Sequence, residues 1–593
     1  MNTSHISNIL SGLFFLITFV ACNSLDLPPL NVIKDDDVFQ DEAGINSYMA
    51  RLYGEAPIED LRFNINGFNG NPHPFLGNWA GETLQNAGGY NASPSGTGVQ
   101  WWGYSSVRNV NYFIEVFPQY RNKFSAVMAD IYMGEAYFIR AYYYFAMVKR
   151  YGGVPIIDKL QNFPQESLEE LKVPRDKEQA VYDFIARDLD EAIRLLPEAS
   201  VQTGRANRGI AYALKSKAML YAASIAQYGT IQLDGILGIP KSEATKYYQS
   251  SYDASLEVGK RYSLYNKHAD KFENYWNLFL DKDNPEAIFV KYFLYPSIAH
   301  SFDAYNIPFQ MRGPIGWGSI MNPTLNIVEL FDDIEGNPGT FKVEENGTPI
   351  RFDNVMDLFK KIQPRLRASV ILPGDVFKGD VIDVQKGLYT SYPEGELRTS
   401  ADWNEMYTGA NGSKHITGKS GIGNSESTTT GFHARKYMNP ATPQGLVLIG
   451  QSEQAYIDIR YGEILLNRAE AAFALGNKDD ALEVINQIRD RAGAKLYQLT
   501  DITEQTIRKE RRMELAFENQ GFWDLRRWRT AADEINNVTY TALCPYYIYD
   551  EDKYIFRKEP VGISYTFDPK VYYQMIPTSE IDKNSLLIQN PGY

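Results

Sequence analysis

The feature that most constrains this chain is a set of long segments whose apolar residues recur every three or four positions. Between Ala126 and Arg150, the residues Ala136, Phe138, Ile139, Tyr142, Tyr143, Ala146 and Met147 keep that spacing. The run stops at Tyr151-Gly152-Gly153-Val154-Pro155. A glycine stop with a proline just beyond it marks a helix end, because glycine permits the reversal and proline cannot continue the ladder. Asp176 to Leu196 repeats the pattern through Ala180, Phe184, Ile185, Leu189, Ala192 and Ile193, ending before Pro197. Further helices are expected at about 207–227 and 242–261. Such helices cannot each bury an apolar stripe alone, so short turns between them predict a stacked array.

A clearer unit lies at Tyr461 to Gly493. There Ala469, Ala472, Gly476, Ala481, Ile485 and Ile488 fall at the small, small, glycine, alanine, large and apolar positions of a tetratricopeptide-like helix pair. Small residues let two helices approach closely, and Gly476 permits the turn. Between the helical blocks the chain changes character. Residues 55–104 are rich in Gly, Asn and Pro, and 295–450 contain long irregular stretches, including the Ser/Thr/Gly-rich 409–431. Loops of that length inside a compact domain are usually functional or disordered. The last sixty residues, with Tyr546, Tyr547 and Tyr549, read as non-helical. The expected fold is therefore mostly α: a tetratricopeptide-like scaffold at about 126–261 and 454–530, long irregular loops, and a loop-rich C-terminal part.

The N-terminus predicts export. Ile9 to Ala21 is an almost purely apolar run followed by Cys22. Thirteen residues are too few for a membrane-spanning helix, which needs about 20. They match the apolar core of a signal peptide over residues 1–21, with small Ala21 before the cleavage point. Phe19-Val20-Ala21-Cys22 resembles a bacterial lipoprotein signal in which the cysteine is lipidated, although 1–8 lack Lys and Arg. The alternative is an ordinary secretory signal with a chance cysteine. The only other cysteine is Cys544, so no disulfide framework or Cys-based zinc site is expected. The net charge of −14 argues against nucleic acid, which demands a basic footprint, and against polyanionic glycans in the absence of a local basic patch. Aromatic content is 13%, with 41 Tyr and 8 Trp. Tyrosine serves wet binding surfaces as well as cores.

Residues 507–528, Ile-Arg-Lys-Glu-Arg-Arg-Met-Glu-Leu-Ala-Phe-Glu-Asn-Gln-Gly-Phe-Trp-Asp-Leu-Arg-Arg-Trp, resemble the signature of the SusD/RagB family of Bacteroidetes surface lipoproteins. The matching positions are Glu510, Arg511, Glu514, Leu515, Glu518, Asp524, Leu525, Arg527 and Trp528. The chain end is similar to the family terminus at Tyr573, Ile576, Pro577, Glu580, Ile581, Asn584, Leu587 and 589–593. Glu135 to Pro155, with Arg140, Ala141 and Tyr144, resembles the family's first long helix, and Cys22 with Leu25-Asp26-Leu27-Pro28-Pro29 resembles the start of the mature protein. The resemblance implies one domain over 22–593, anchored at the surface of the outer membrane through Cys22. It also implies a SusC-like TonB-dependent transporter as partner, an oligosaccharide or in some members a peptide as ligand, and no cofactor. Within the signature, Arg511 and Glu514 are helical neighbours, and Asp524 can bond Arg527 across the turn. Their expected task is to lock the irregular C-terminal part onto the helical repeats.

No catalytic pattern competes with this. None of the six histidines forms HExxH, no GxSxG elbow is present, and Gly412 to Ser420 misses P-loop spacing by one residue. Asp332, Asp333 and Glu335 beside Gly336 fail the calcium-loop spacing and read as a solvated turn. No carboxylate pair stands out for glycoside hydrolysis, so no enzyme and no catalytic or metal-ligating residue is expected.

A sugar binder needs aromatic platforms with polar groups around them. Aromatics in Gly/Pro/Asn-rich loops are the candidates, since packing does not account for them. One group, in loop 55–104, is Trp79 and Tyr90, with Asn78 and Glu82 nearby. The other, in loop 293–320, is Tyr295, Tyr305, Arg312 and Trp317, with Phe302 nearby. The resemblance places ligand contacts in these same two parts of the chain. Trp317, between Gly316 and Gly318, is expected to have open ring faces. Two alternatives stand beside glycan capture: a peptide-capturing member of the family, and a tetratricopeptide-type scaffold that binds only a protein partner.

Overall fold

The computed structural model describes residues 35–61, 76–86, 99–161, 165–314, 316–423 and 426–593. Cys22 and Tyr90 lie outside the described residues.

The first helices are α1 (Glu42–Gly54), α2 (Tyr104–Val116) and α3 (Ala126–Tyr151). Ser125 caps α3 by accepting a hydrogen bond from the Met128 N–H at 3.2 Å. The helix ends where Gly152 takes φ +75°, and a Cβ on Gly153 would lie 1.9 Å from the Asp176 carbonyl oxygen. Only glycine fits that close approach. α3 is buried on nearly every side, which makes it the central helix of the stack. Then come α4 (Glu178–Leu195), α5 (Arg208–Tyr228) and α6 (Ala244–Gly259). α4 turns Val181, Phe184, Ile185, Leu189 and Ala192 inward along one stripe.

After the loop-rich middle of the chain, α7 (Tyr461–Ala474) and α8 (Lys478–Ala492) form the expected helix pair with the turn at Gly476. Ala469, Ala472, Ala481, Ile485 and Ile488 are fully buried between the helices and their neighbours. α3 packs on α4, α4 on α5, α5 on α6, α6 on α7 and α7 on α8, so the two helical blocks form one continuous stack. The signature supplies α9 (Glu504–Glu514) and α10 (Gln520–Arg527).

The strands are short except at the end. β1 (Thr83–Gln85) pairs antiparallel with β2 (Met321–Pro323). The C-terminal region is a long hairpin of β3 (Thr539–Ile548) and β4 (Lys553–Ser564), with Gly387–Tyr389 parallel to β3 on its other side. A short helix, Thr578–Lys583, interrupts the expected non-helical terminus. The 409–431 segment is a second departure. Its start belongs to a hairpin, Met406–Gly409 with Gly412–His415, while Ser427, Thr428 and Thr430 are buried and Thr428 donates to the Phe432 carbonyl. Its small polar residues satisfy their own backbone inside the protein rather than facing water.

Two large apolar cores result, with three smaller clusters beside them among the described residues. One fills the helical stack; the other gathers Tyr275, Phe279, Phe302, Tyr305, Leu325, Phe331 and Tyr437 from the loop-rich half, together with Met513 and Phe517 of the signature. The signature joins them through buried charges. Glu514 accepts from Arg365 at 2.8 Å and Arg460 at 2.7 Å, and also pairs with Arg491. Glu510 bonds Arg365 and Arg489, both at 2.6 Å, and Glu518 bonds Arg460 and Lys436. Arg511 reaches Asp524 at 2.7 Å and Asn467 at 2.7 Å, and Arg527 grips Glu470 of α7 with two bonds. The expected Asp524–Arg527 bond is present at 2.9 Å. Arg511, however, turns to Asp524 and α7 rather than to Glu514, because three other arginines already surround Glu514. Burial alone would raise the Glu514 carboxyl; the guanidiniums of Arg491, Arg460 and Arg365 outweigh it and hold the group well below the ordinary carboxylate range.

Candidate functional site

The two loop regions singled out from the sequence meet. β1 and β2 align Thr83 with Pro323, Leu84 with Asn322 and Gln85 with Met321, and Asn86 Nδ2 donates to the Gly318 carbonyl at 3.1 Å. Asn322 adds a bond from its side-chain amide to the Leu84 carbonyl at 3.1 Å. The 308–318 loop is closed at its base. Ser319 N donates to the Ile307 carbonyl and Ile320 N to the Tyr305 carbonyl, both at 2.9 Å, while Met321 N donates to Asn306 Oδ1 at 3.0 Å.

Trp317 stands on this closed loop, half-buried, with its ring stacked on Tyr305 at 5.3 Å between centroids and 27° between planes. Tyr305 is itself 4% exposed and belongs to the loop-side core. The expectation of two open ring faces is corrected: Tyr305 backs one of them. The flanking glycines do other work. Gly316 takes φ +77° and a Cβ there would meet open space, whereas a Cβ on Gly318 would lie 2.5 Å from the Ile307 carbonyl oxygen. Gly316 therefore makes the turn and Gly318 lets the loop close. Arg312 braces the same loop, with its guanidinium 3.8 Å from the Phe309 ring centroid and Nη1 donating to the Gly316 carbonyl at 2.7 Å. Tyr305, Arg312 and Trp317 thus form one unit.

Tyr295 is apart from that unit. It is 50% exposed on a hairpin closed by reciprocal Leu294 and Ile298 backbone bonds, and its N–H donates to Glu453 at 2.7 Å. Tyr292, Leu294 and Ile298 on the same hairpin are also exposed, and so are Leu446 and Ile449 on the neighbouring loop. This apolar rim went unnoticed in the sequence. The signal available was a cluster of apolar residues beside Pro296, which reads equally well as a buried strand.

Trp79 is the clear correction. It lies on a short 3-10 turn, Leu76–Ala80, is 8% exposed, and packs 6.1 Å from Phe522 of α10. Asn78 and Glu82 are buried with it, and Phe302 is buried in the loop-side core. The Glu82 carboxylate accepts from the Phe517 N–H at 3.0 Å, and burial pushes its pKa up to about 7. Glycine-rich composition suggested an open loop. A glycine of the signature instead lets this segment press against it: a Cβ on Gly521 would lie 2.1 Å from Glu82.

Nothing in the described residues gathers three or more His, Cys, Asp or Glu side chains as a metal site would. Asp333 uses one carboxylate oxygen to accept from the Glu335 and Asn337 N–H groups, as an ordinary turn does. Cys544 is buried in the C-terminal sheet, where burial pushes its thiol up to about 12. No helix among the described residues is long and apolar enough to cross a membrane.

Comparison with known proteins agrees with this architecture. Residues 285–593 match the model of the SusD family, and residues 40–220 match a model described as starch-binding associating with outer membrane. A SusD-like protein from Bacteroides fragilis superposes with a TM-score of 0.70 at 26% identity, over 95% of this chain and 100% of that one. A SusD-like carbohydrate binding protein from the same species gives 0.67 at 19% identity, over 93% and 100%. A laminarin binding SusD-like protein gives 0.58 at 18%, also over 93% and 100%. A search of curated proteins gives no match. One family model thus runs through more than half of the residues, including the buried signature that joins the two cores, and this chain belongs to the SusD family.

Proposed function

We propose that the chain is a glycan-binding protein of the cell surface, held to the outer membrane by a lipid on Cys22, that passes oligosaccharide to a SusC-like TonB-dependent transporter. The observation that carries the reading is the Tyr305–Trp317 stack, which presents an aromatic ring on a braced loop beside Arg312. An indole ring matches the apolar face of a sugar, and a guanidinium beside it donates to hydroxyls. The family description, starch-binding associating with outer membrane, and the carbohydrate and laminarin binding of solved relatives support the same class of ligand. Binding rather than hydrolysis suits the site: Asp303, a carboxylate at the foot of the loop, is buried and taken up by Ser452 and Gln454. Trp79 has a packing role. The apolar rim of Tyr292, Leu294, Tyr295 and Ile298 suits contact with a polypeptide, which favours this edge for the transporter.

The test is calorimetric titration of the purified protein with a panel of neutral polysaccharides, alongside an assay for released reducing ends. Saturable binding without hydrolysis, lost in Trp317→Ala, is expected. Hydrolysis, or peptide binding in place of glycan binding, would overturn the reading.

A further inference from the structure

Charge pairing changes at the end of the signature. Along the signature, Arg508 pairs with Glu504, Arg511 with Asp524, Arg512 with Glu534 and Arg527 with Glu470. Among the described residues, Arg526 and Arg529 have no carboxylate partner. Arg526 is 3% exposed; its Nη1 donates to the Phe522 carbonyl at 3.1 Å, while Nε and Nη2 find no acceptor. Arg529 donates to the Arg526 carbonyl at 3.0 Å and to the Tyr573 hydroxyl at 2.6 Å. That hydroxyl in turn donates to Glu178 at 2.7 Å, and Glu178 also accepts from the Gly238 N–H. Arg529 itself is half-buried; Glu178 acts on it electrostatically across the Tyr573 hydroxyl, and among the described residues no carboxylate bonds it directly.

Arg529 forms part of an open cleft of about 450 Å³ between the end of α5 and chain segment 569–592. That volume lies within the range of small-molecule sites, about 300–1,000 Å³. Arg526 is not a wall of the cleft: its guanidinium lies on the Phe522 ring, 3.4 Å from the centroid. Tyr572 and Tyr228 supply rings, and Lys570 stands exposed at the edge, 3.6 Å from Asp568. Asn590, a wall residue 2% exposed, gives its amide hydrogens to the Tyr151 and Gln574 carbonyls and leaves Oδ1 without a donor. The cleft therefore offers tyrosine rings, an exposed lysine and a half-buried guanidinium to which no carboxylate is directly bonded among the described residues.

We propose that this cleft is a second binding site, for a sugar residue that carries a carboxylate. The carboxylate faces Arg529, and the sugar ring lies along Tyr572 and Tyr228. The choice of a sugar as the carrier rests on the glycan-binding reading; the site itself shares no residue with the 292–320 loops. A chain of net charge −14 repels polyanions at long range, which leaves a local cationic cleft suited to a single acidic residue.

The experiment titrates the purified protein with glucuronic acid and with glucose, its neutral counterpart. It does so for the parent and for Arg529→Gln, Lys570→Gln and Trp317→Ala, with thermal melts to confirm folding. Glucuronate is expected to bind about 10-fold more tightly than glucose, a difference of one hydrogen-bonded charge. Its binding should vanish in Arg529→Gln, weaken in Lys570→Gln, whose side chain is on the surface, and survive in Trp317→Ala. Equal binding of the two sugars would overturn the proposal, as would glucuronate binding that persists in folded Arg529→Gln or disappears in Trp317→Ala. Neutral glycan binding lost in Trp317→Ala, with no glucuronate binding at all, would overturn this proposal and leave the loop site standing.

Discussion

The signature that joins the cores and the loop that carries Trp317 solve opposite problems with similar residue types. Around Glu514 the charges are fully buried, and each carboxylate is shared by two or three cations. Around Trp317 one arginine braces a half-buried ring against its own loop, using a carbonyl and a phenyl face in place of a carboxylate. The first arrangement gains little net stability, since desolvation cancels most of the Coulomb attraction, but it makes any single loss costly. It therefore specifies how the helical stack and the loop-side core fit together. The second holds a half-buried ring on a loop whose closure comes from backbone bonds at Ile307 and Ser319.

The largest expected effect breaks the first arrangement. Glu514→Leu strands the guanidiniums of Arg365, Arg460 and Arg491 without their shared anion and should cost about 5 kcal/mol, read by chemical denaturation. A loss below about 1 kcal/mol would show that the network is not an interdependent unit. Next comes Trp79→Ala, which leaves a cavity against Phe522 and should cost about 3–4 kcal/mol while glycan affinity in the folded fraction stays unchanged. A glycan-binding defect without destabilisation would return Trp79 to the ligand site.

The third prediction concerns acid. His433 packs beneath the loop with its Nδ1 3.3 Å from Ser319 Oγ, and burial lowers its pKa from 6.5 to about 3. The folded ring stays neutral while the unfolded chain takes up a proton below pH 6.5, so its contribution is present above 6.5 and lost as pH falls towards 3. From pH 7 to about pH 5 this costs about 2 kcal/mol. Glu82 opposes it. Its pKa is raised from 4.5 to about 7, so its contribution is present below 4.5 and lost as pH rises to 7. Denaturation midpoints of the parent and His433→Gln at both pH values separate the two, and the variant should be less acid-sensitive by that amount. An unchanged pH dependence would remove His433 from the account. The smallest effect on stability belongs to Trp317→Ala, about 1 kcal/mol for a half-buried ring on a closed loop, coupled to a loss of glycan affinity of about 10-fold or more. Calorimetry and melting on one sample distinguish that split from Trp79→Ala, which has the opposite profile.

Much of the scaffold was legible beforehand. The expected helix from Ala126 to Arg150 is observed as Ala126–Tyr151, and the 461–493 pair turns at Gly476 as its small residues require. These features are local: a stripe of apolar residues, a cap, a glycine stop. The candidate site was read from the sequence only as two loop regions. Loops 55–104 and 293–320 do meet through β1 and β2, but the ladder joins residues more than two hundred positions apart, and no spacing announces it. Within those loops Trp79 and Trp317 look alike in sequence, each near glycines. One glycine-rich segment presses into α10 and the other turns outward at Gly316.

The sequence by itself therefore determined the long helices of the two blocks, their joining by short turns, and the family signature, because periodicity, caps and turns act over a few residues. Tertiary structure alone decided which of Trp79 and Trp317 is buried, that Glu514 is shared by Arg365, Arg460 and Arg491, and that Arg526 and Arg529 go without a carboxylate among the described residues. Burial and charge pairing depend on which distant segments arrive at the same place. A residue's own neighbours in the chain carry almost no information about that.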